Sequence, residues 1–278
     1  MIPIARWLAA LAALLLVFNA AAQSKFEPQV GQAGKDVIWV PTPDDVVERM
    51  LTMAQVTPSD WVWDLGAGDG KIAIMAAKKF GARATGVEYN PDMVKHANAN
   101  AQAAGVAGSG QGKAVIRHGD IFATDFSSAT VITLYLLPAL NMKLRPTILS
   151  MRPGTRVVSH SFSMEDWEAD EISTMEGRRA YFWLVPANVV GTWNLELGGQ
   201  KTEMALEQKF QHVSGSLHLG PIHAGLREAR LRGSAIFFSY VDPAGLRRDF
   251  AGRVTSGRME GTFRDEKGVE GKWSATKK

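Results

Sequence analysis

Asp64-Leu65-Gly66-Ala67-Gly68-Asp69-Gly70 sets three alternating glycines among two aspartates, where an apolar run stops and a helical pattern starts. Glycine at such a bend admits positive φ and lets backbone N–H groups approach a ligand with no Cβ in the way. A dinucleotide fingerprint would need Gly or Ala at 71, where Lys71 stands, and no Gly-Lys-Ser/Thr follows to make a Walker loop. The aspartates carry the wrong sign for a pyrophosphate. They suit a ligand with an ammonium and a sulfonium, since opposite charges about 4 Å apart are worth about 1–4 kcal/mol at effective dielectrics of 80 to 20. S-adenosylmethionine is such a ligand, and the following helix N-terminus can receive its single carboxylate. The expected contacts here are Asp64, Gly66, Ala67, Gly68 and Gly70, against the plainer reading of a strand-to-helix turn with glycines for conformation alone.

A second acid, Glu88, follows Gly66 by 22 residues and is placed to accept from both ribose hydroxyls of a nucleoside. Asp120 is expected to accept from the adenine amino group while Ile121 or Phe122 packs on the ring; a turn aspartate is the alternative. The elements that must position these groups alternate between strand and helix. Apolar runs at Trp61–Leu65, Ala82–Tyr89, Ala114–His118, Ala129–Leu136, Arg156–Phe162, Ala169–Thr174 and Ala180–Pro186 predict seven strands. Lys71 to Phe80 has helical spacing, and Asn90 caps a second helix that begins at Pro91 and stops at Gly105. Such alternation predicts an α/β, doubly wound and mostly parallel sheet. Its last two strands, joined only by residues 175–179, should form an antiparallel hairpin at one edge.

From about residue 187 the period changes to two, with glycines breaking the strands, as in Gly191-Thr192-Trp193 and Gly271-Lys272-Trp273. This predicts a small antiparallel barrel or sandwich of six to eight strands over 187–278, after a Rossmann-like unit over 23–186. Residues 1–22 read as a secretory signal: Arg6, the apolar run Trp7 to Phe18, then the small residues Ala20 and Ala22. The run falls short of the roughly 20 residues a membrane span takes, so cleavage near Ala22 and a periplasmic chain with no stable span are expected, with an uncleaved inner-membrane anchor as the alternative.

With 278 residues, 46% hydrophobic and 21% charged, disorder is excluded, and a net charge of +3 does not make nucleic acid the expected partner. Cysteine is absent, which removes disulfides, thiolate metal sites and cysteine nucleophiles. His212, His218 and His223 match no ligand spacing, and no metal is expected.

Together with Val40-Pro41-Thr42-Pro43, Gly86-Val87-Glu88-Tyr89-Asn90-Pro91 and Leu134-Tyr135-Leu136-Leu137-Pro138, these motifs resemble class I S-adenosylmethionine-dependent methyltransferases. More specifically they resemble bacterial relatives of the mitochondrial lysine methyltransferases that modify the ATP synthase rotor ring protein c, and more distantly the Dot1 type, over roughly residues 37–186. The resemblance implies cofactor binding by Asp64, Gly66, Gly68 and Glu88, a methyl-transfer pocket flanked by the Pro-Thr-Pro and Tyr-Leu-Leu-Pro segments, and a protein lysine as acceptor. Tyr135 and Asn141 are expected to line the acceptor channel. Thr42 should touch the methionine part of the cofactor or cap a helix, and His160, Ser161 and Trp167 are candidates for the pocket border. Leu136-Leu137-Pro138 offers no side-chain amide acceptor for the exocyclic amine of a base, which demotes nucleic acid as substrate. A small-molecule N- or O-methyltransferase and an exported, non-catalytic scaffold remain as alternatives.

Overall fold

The computed structural model describes residues 26–278, so the signal sequence expected over 1–22 lies outside the described residues. Eleven elements build the first unit: α1 (Asp44–Met53), β1 (Trp61–Leu65), α2 (Lys71–Phe80), β2 (Arg83–Glu88), α3 (Pro91–Ala103), β3 (Ala114–His118), β4 (Val131–Leu134), α4 (Pro138–Leu149), β5 (Arg156–His160), β6 (Glu171–Met175) and β7 (Arg178–Leu184). The sheet order is β3-β2-β1-β4-β5-β7-β6, with β1 to β5 parallel and β7 antiparallel to both β5 and β6. The chain reverses its winding between β1 and β4, and the crevice beyond their carboxyl ends is where such sheets bind ligands.

β1 and β4 are near-continuous apolar runs because helices cover both sheet faces. Val47, Met50, Leu51, Ile72 and Ala76 pack on one face; Trp63, Ile132, Leu144, Ile148 and Trp183 fill the other. Asn90 caps α3 as expected, its side chain accepting from the amides of Asp92 and Met93. The β6–β7 turn is shorter than expected, only Glu176-Gly177. Both have positive φ, 47° and 78°, the geometry of a tight two-residue hairpin. Helix α4 was hidden in the sequence because its buried face is only Asn141, Leu144 and Ile148, one of them polar, and Pro146 stands inside the helix.

The second unit has nine strands: β8 (Gly191–Leu197), β9 (Gln200–Lys209), β10 (His212–Leu219), β11 (Ile222–Gly225), β12 (Arg227–Arg232), β13 (Ala235–Val241), β14 (Arg247–Thr255), β15 (Arg258–Asp265) and β16 (Glu270–Lys277). Pairing of β9 with β10 and of β8 with β16 closes them into an antiparallel barrel. β11 and β12 pair with opposite ends of the same edge of β10, so they act as one broken strand and the barrel has eight positions. Its interior is filled by Trp193, Met204, Leu217, Phe238, Phe250 and Trp273. Inward-facing Gly252 makes room for this, since a Cβ there would stand 2.4 Å from the Trp273 ring. Among the described residues no helix is long and apolar enough to cross a membrane.

Candidate active site

The turn after β1 is shaped by Gly66 and Gly68, with φ of 85° and 52°, and is tied to β2 by the Gly66 and Ala67 amides, each donating to the Val87 carbonyl at 2.9 Å. Glu88, at the end of β2, accepts from the Gly68 amide through Oε2 (3.0 Å) and from the Asn90 amide through Oε1 (2.8 Å). The carboxylate is thereby aimed at the crevice with lone pairs to spare for two hydroxyl donors.

A cavity of about 360 Å³ opens between the loops after β1, β2, β3 and β4 and a strap formed by residues 32–42. Asp64, Gly66, Ala67, Gly68, Glu88, Asp120, Ile121, Thr42 and Tyr135 all line it, so nine of the residues singled out in the sequence converge on one space. Gly70 and Asn141, expected to touch cofactor and acceptor, do not reach it. Gly70 turns toward α3 and β3, where a Cβ would meet Ala97 and Ile116 at 3.1 Å, so this glycine serves packing and its φ of 81°. Asn141 is fully buried beneath the wall. Its Nδ2 donates to the carbonyls of Phe162 (3.4 Å) and Ser163 (3.2 Å), which makes it a support of that loop. Of the border candidates, Trp167 lies in the core against Trp183, and Ser161 does not line the cavity.

Asp64 is the electrostatic centre. It is 2% exposed; Oδ1 accepts from the Thr133 hydroxyl at 2.7 Å, while Oδ2 is buried with no protein partner. Burial, aided by the nearby Asp69 and Glu88 carboxylates, raises its pKa to about 7. A buried carboxylate oxygen without a donor, bordering a cavity, matches an ammonium group. The residues present therefore fit S-adenosylmethionine: Asp64 for its ammonium, Glu88 for its ribose, and Ile121 on the adenine side.

Asp120 departs from its expected role in one respect. Its Oδ2 already accepts from Lys35 Nζ at 2.6 Å and its Oδ1 from the Phe122 amide, and the lysine hydrogen bond holds its carboxyl below the usual range. Phe122 does not line the cavity; Lys143 lies over its ring. Thr42 caps no helix, since Pro43 occupies the cap of α1. Instead its buried hydroxyl pairs with His160 Nδ1 at 3.2 Å across 118 residues. Burial, with Arg178 adding to it, lowers the His160 pKa to about 4, so the ring is neutral near pH 7. Tyr135 lies 4.1 Å from the His160 ring and stacks toward Phe162 at 6.1 Å.

The strap was missed in the sequence, apart from Pro-Thr-Pro. It places Trp39 so close to the glycine loop that a Cβ on Gly68 would lie 2.6 Å from the indole nitrogen. Phe162, Leu137 and Leu140 complete the opposite wall. The barrel histidines His218 and His223 stand 4.3 Å apart, but among the described residues no group of three ligands is placed to hold a metal ion.

The doubly wound sheet, its switch-point crevice and the acidic glycine loop define an S-adenosylmethionine-dependent methyltransferase. The ANTKMT methyltransferase domain matches residues 64–171. A protein-lysine N-methyltransferase of Saccharolobus islandicus is 45% identical over 142 residues, covering 50% of this chain and 86% of the relative. The Mus musculus adenine nucleotide translocase lysine N-methyltransferase is 32% identical over 124 residues, covering 44% of this chain and 52% of the relative, about half its length. A crystal structure described as an RNA methyltransferase from Salinibacter ruber, in complex with S-adenosyl-L-homocysteine, is 49% identical. The match covers 54% of this chain and 96% of that one, with a TM-score of 0.52. The chain belongs to the S-adenosylmethionine-dependent methyltransferase family of the Saccharolobus islandicus protein-lysine N-methyltransferase.

Proposed function

We propose that this enzyme methylates the ε-amine of a lysine on a protein. The observation that carries this reading is the uncharged wall opposite the acidic cofactor side: Tyr135, Leu137, Leu140 and Phe162, with a neutral His160 behind them. A lysine must lose its proton before it attacks, and its reference pKa of about 10.4 falls in an apolar, water-poor slot. When bound, S-adenosylmethionine supplies an electrophilic methyl group on a sulfonium, so no enzyme nucleophile is required.

Asp64 and the glycine loop hold the amino-acid end and Glu88 the ribose. Tyr135 and Phe162 guide the amine toward the methyl carbon and exclude water. The bound cofactor would supply the methyl group, its sulfur leaving as an uncharged thioether, and the proton of the lysine ammonium would pass to solvent before the amine enters the slot. Alignment alone can supply effective molarities near 10⁵ M. Ile38, Tyr89 and Leu137, all exposed at the cavity mouth, suit contact with a polypeptide.

The relatives named for lysine methylation support this acceptor, whereas the Salinibacter protein's description favours RNA. Incubating the purified chain with methyl-labelled cofactor and an extract containing both protein and RNA separates them. Label should enter protein at lysine, located by mass spectrometry; label confined to RNA or to small molecules would overturn the reading. We also infer export from the cytoplasm, with or without cleavage after Ala22. That placement rests on Arg6 and the apolar run alone, and a fusion reporter active only in the cytoplasm would refute it.

A further inference from the structure

The β9–β10 turn of the barrel has a residue type its geometry does not favour. Phe210 is the first of two residues between the paired Lys209 and His212, and its φ is +55°. In a two-residue hairpin, a positive φ at the first position is ordinarily taken by glycine. A bulky side chain kept in such a conformation points to a role for the side chain itself.

The ring does not enter the barrel. It stacks against Trp167 of the first unit, with centroids 6.0 Å apart and planes 22° apart, and the Arg145 guanidinium lies 5.2 Å from it. Its neighbour Gln211 donates through Nε2 to the Glu168 carbonyl at 2.9 Å. These contacts hold one side of loop 161–168. From the other side, Asn141 holds the carbonyls of Phe162 and Ser163, while Arg145 donates to the Met164 carbonyl at 2.9 Å. The loop needs support, because Ser161 and Glu165 are themselves at positive φ, 63° and 55°. Phe162, on this loop, lines the cavity wall facing the cofactor side.

We propose that Phe210 is a positioning residue: the barrel's β9–β10 turn clamps loop 161–168 and so sets the acceptor wall through Phe162. This assigns the barrel a task in methyl transfer, and it does not depend on whether the acceptor is a lysine.

The test uses the full chain saturated with S-adenosylhomocysteine, followed by hydrogen exchange and mass spectrometry. Glycine accepts the backbone conformation, so Phe210→Gly keeps the turn while deleting the ring. The expected result is amide exchange at least about tenfold faster in 161–168, with the 64–70 loop and strands β13–β16 unchanged. Affinity for S-adenosylhomocysteine should stay within about twofold, and Phe210→Trp should restore protection. Unchanged exchange in 161–168 overturns the proposal. So does acceleration spread equally through the barrel, since Phe210 would then be a support of the barrel alone.

Discussion

Replacing Asp64 with Asn tests the electrostatic core of the site most directly. The wild-type carboxylate is buried, lacks a donor at Oδ2 and has a pKa raised to about 7. An ammonium-bearing cofactor needs it ionised. For a pKa of 7 the ionised fraction is about one tenth at pH 6 and one half at pH 7, so affinity should tighten about fivefold over that unit, or about 1 kcal/mol. Binding at pH 7 should also release about half a proton, seen as a dependence of the calorimetric heat on buffer ionisation enthalpy. Asn keeps the partnership with Thr133 but carries no charge. It should weaken binding by about 1.5–3 kcal/mol, the range for hydrogen bonds to charged groups, and flatten the pH profile.

The same shift has a consequence for the cofactor-free chain. A carboxylate whose folded pKa is raised binds more protons folded than unfolded between about pH 4 and 7, so stability falls as pH rises through that window, and Asn should remove the slope. A wild-type cofactor affinity that is flat between pH 6 and 7, or net proton uptake on binding, would refute the assignment of Asp64 to the ammonium.

Glu88→Ala removes the acceptor of the Gly68 amide as well as the ribose contact, and should weaken cofactor binding by about 1–3 kcal/mol in titration calorimetry; unchanged affinity would move the ribose role elsewhere. Gly68→Val drives a Cβ toward the Trp39 indole at a backbone φ of +52°, so it should cost about 1–2 kcal/mol of stability and displace the strap. The check is Trp39 emission, read as the difference from Trp39→Phe, together with cofactor affinity; both unchanged would mean that the strap does not lie on the loop in solution.

Much of the cofactor half was legible because its chemistry is local. The spacing from Asp64 to Gly68 and the acid at the end of β2 follow from one strand–turn–helix unit and its neighbour, where residue type and chain geometry are tightly coupled. The strands were legible for a related reason: buried parallel strands are short apolar runs whatever surrounds them. The acceptor half was less so. Asn141 has the residue type of a binding group, yet burial under the 162–163 carbonyls turns it into a support. Gly70 shares the pattern of its neighbours but faces α3.

By itself the sequence determined the doubly wound sheet, the glycine bend and the acidic character of the ligand site, because each depends on residues close together along the chain. Only the tertiary structure decided that Thr42 meets His160, that Trp39 and Lys35 cover the crevice, and that a barrel turn leans on loop 161–168. Those contacts join residues far apart along the chain. Packing of whole elements selects them, and no local pattern records the partner a side chain will meet.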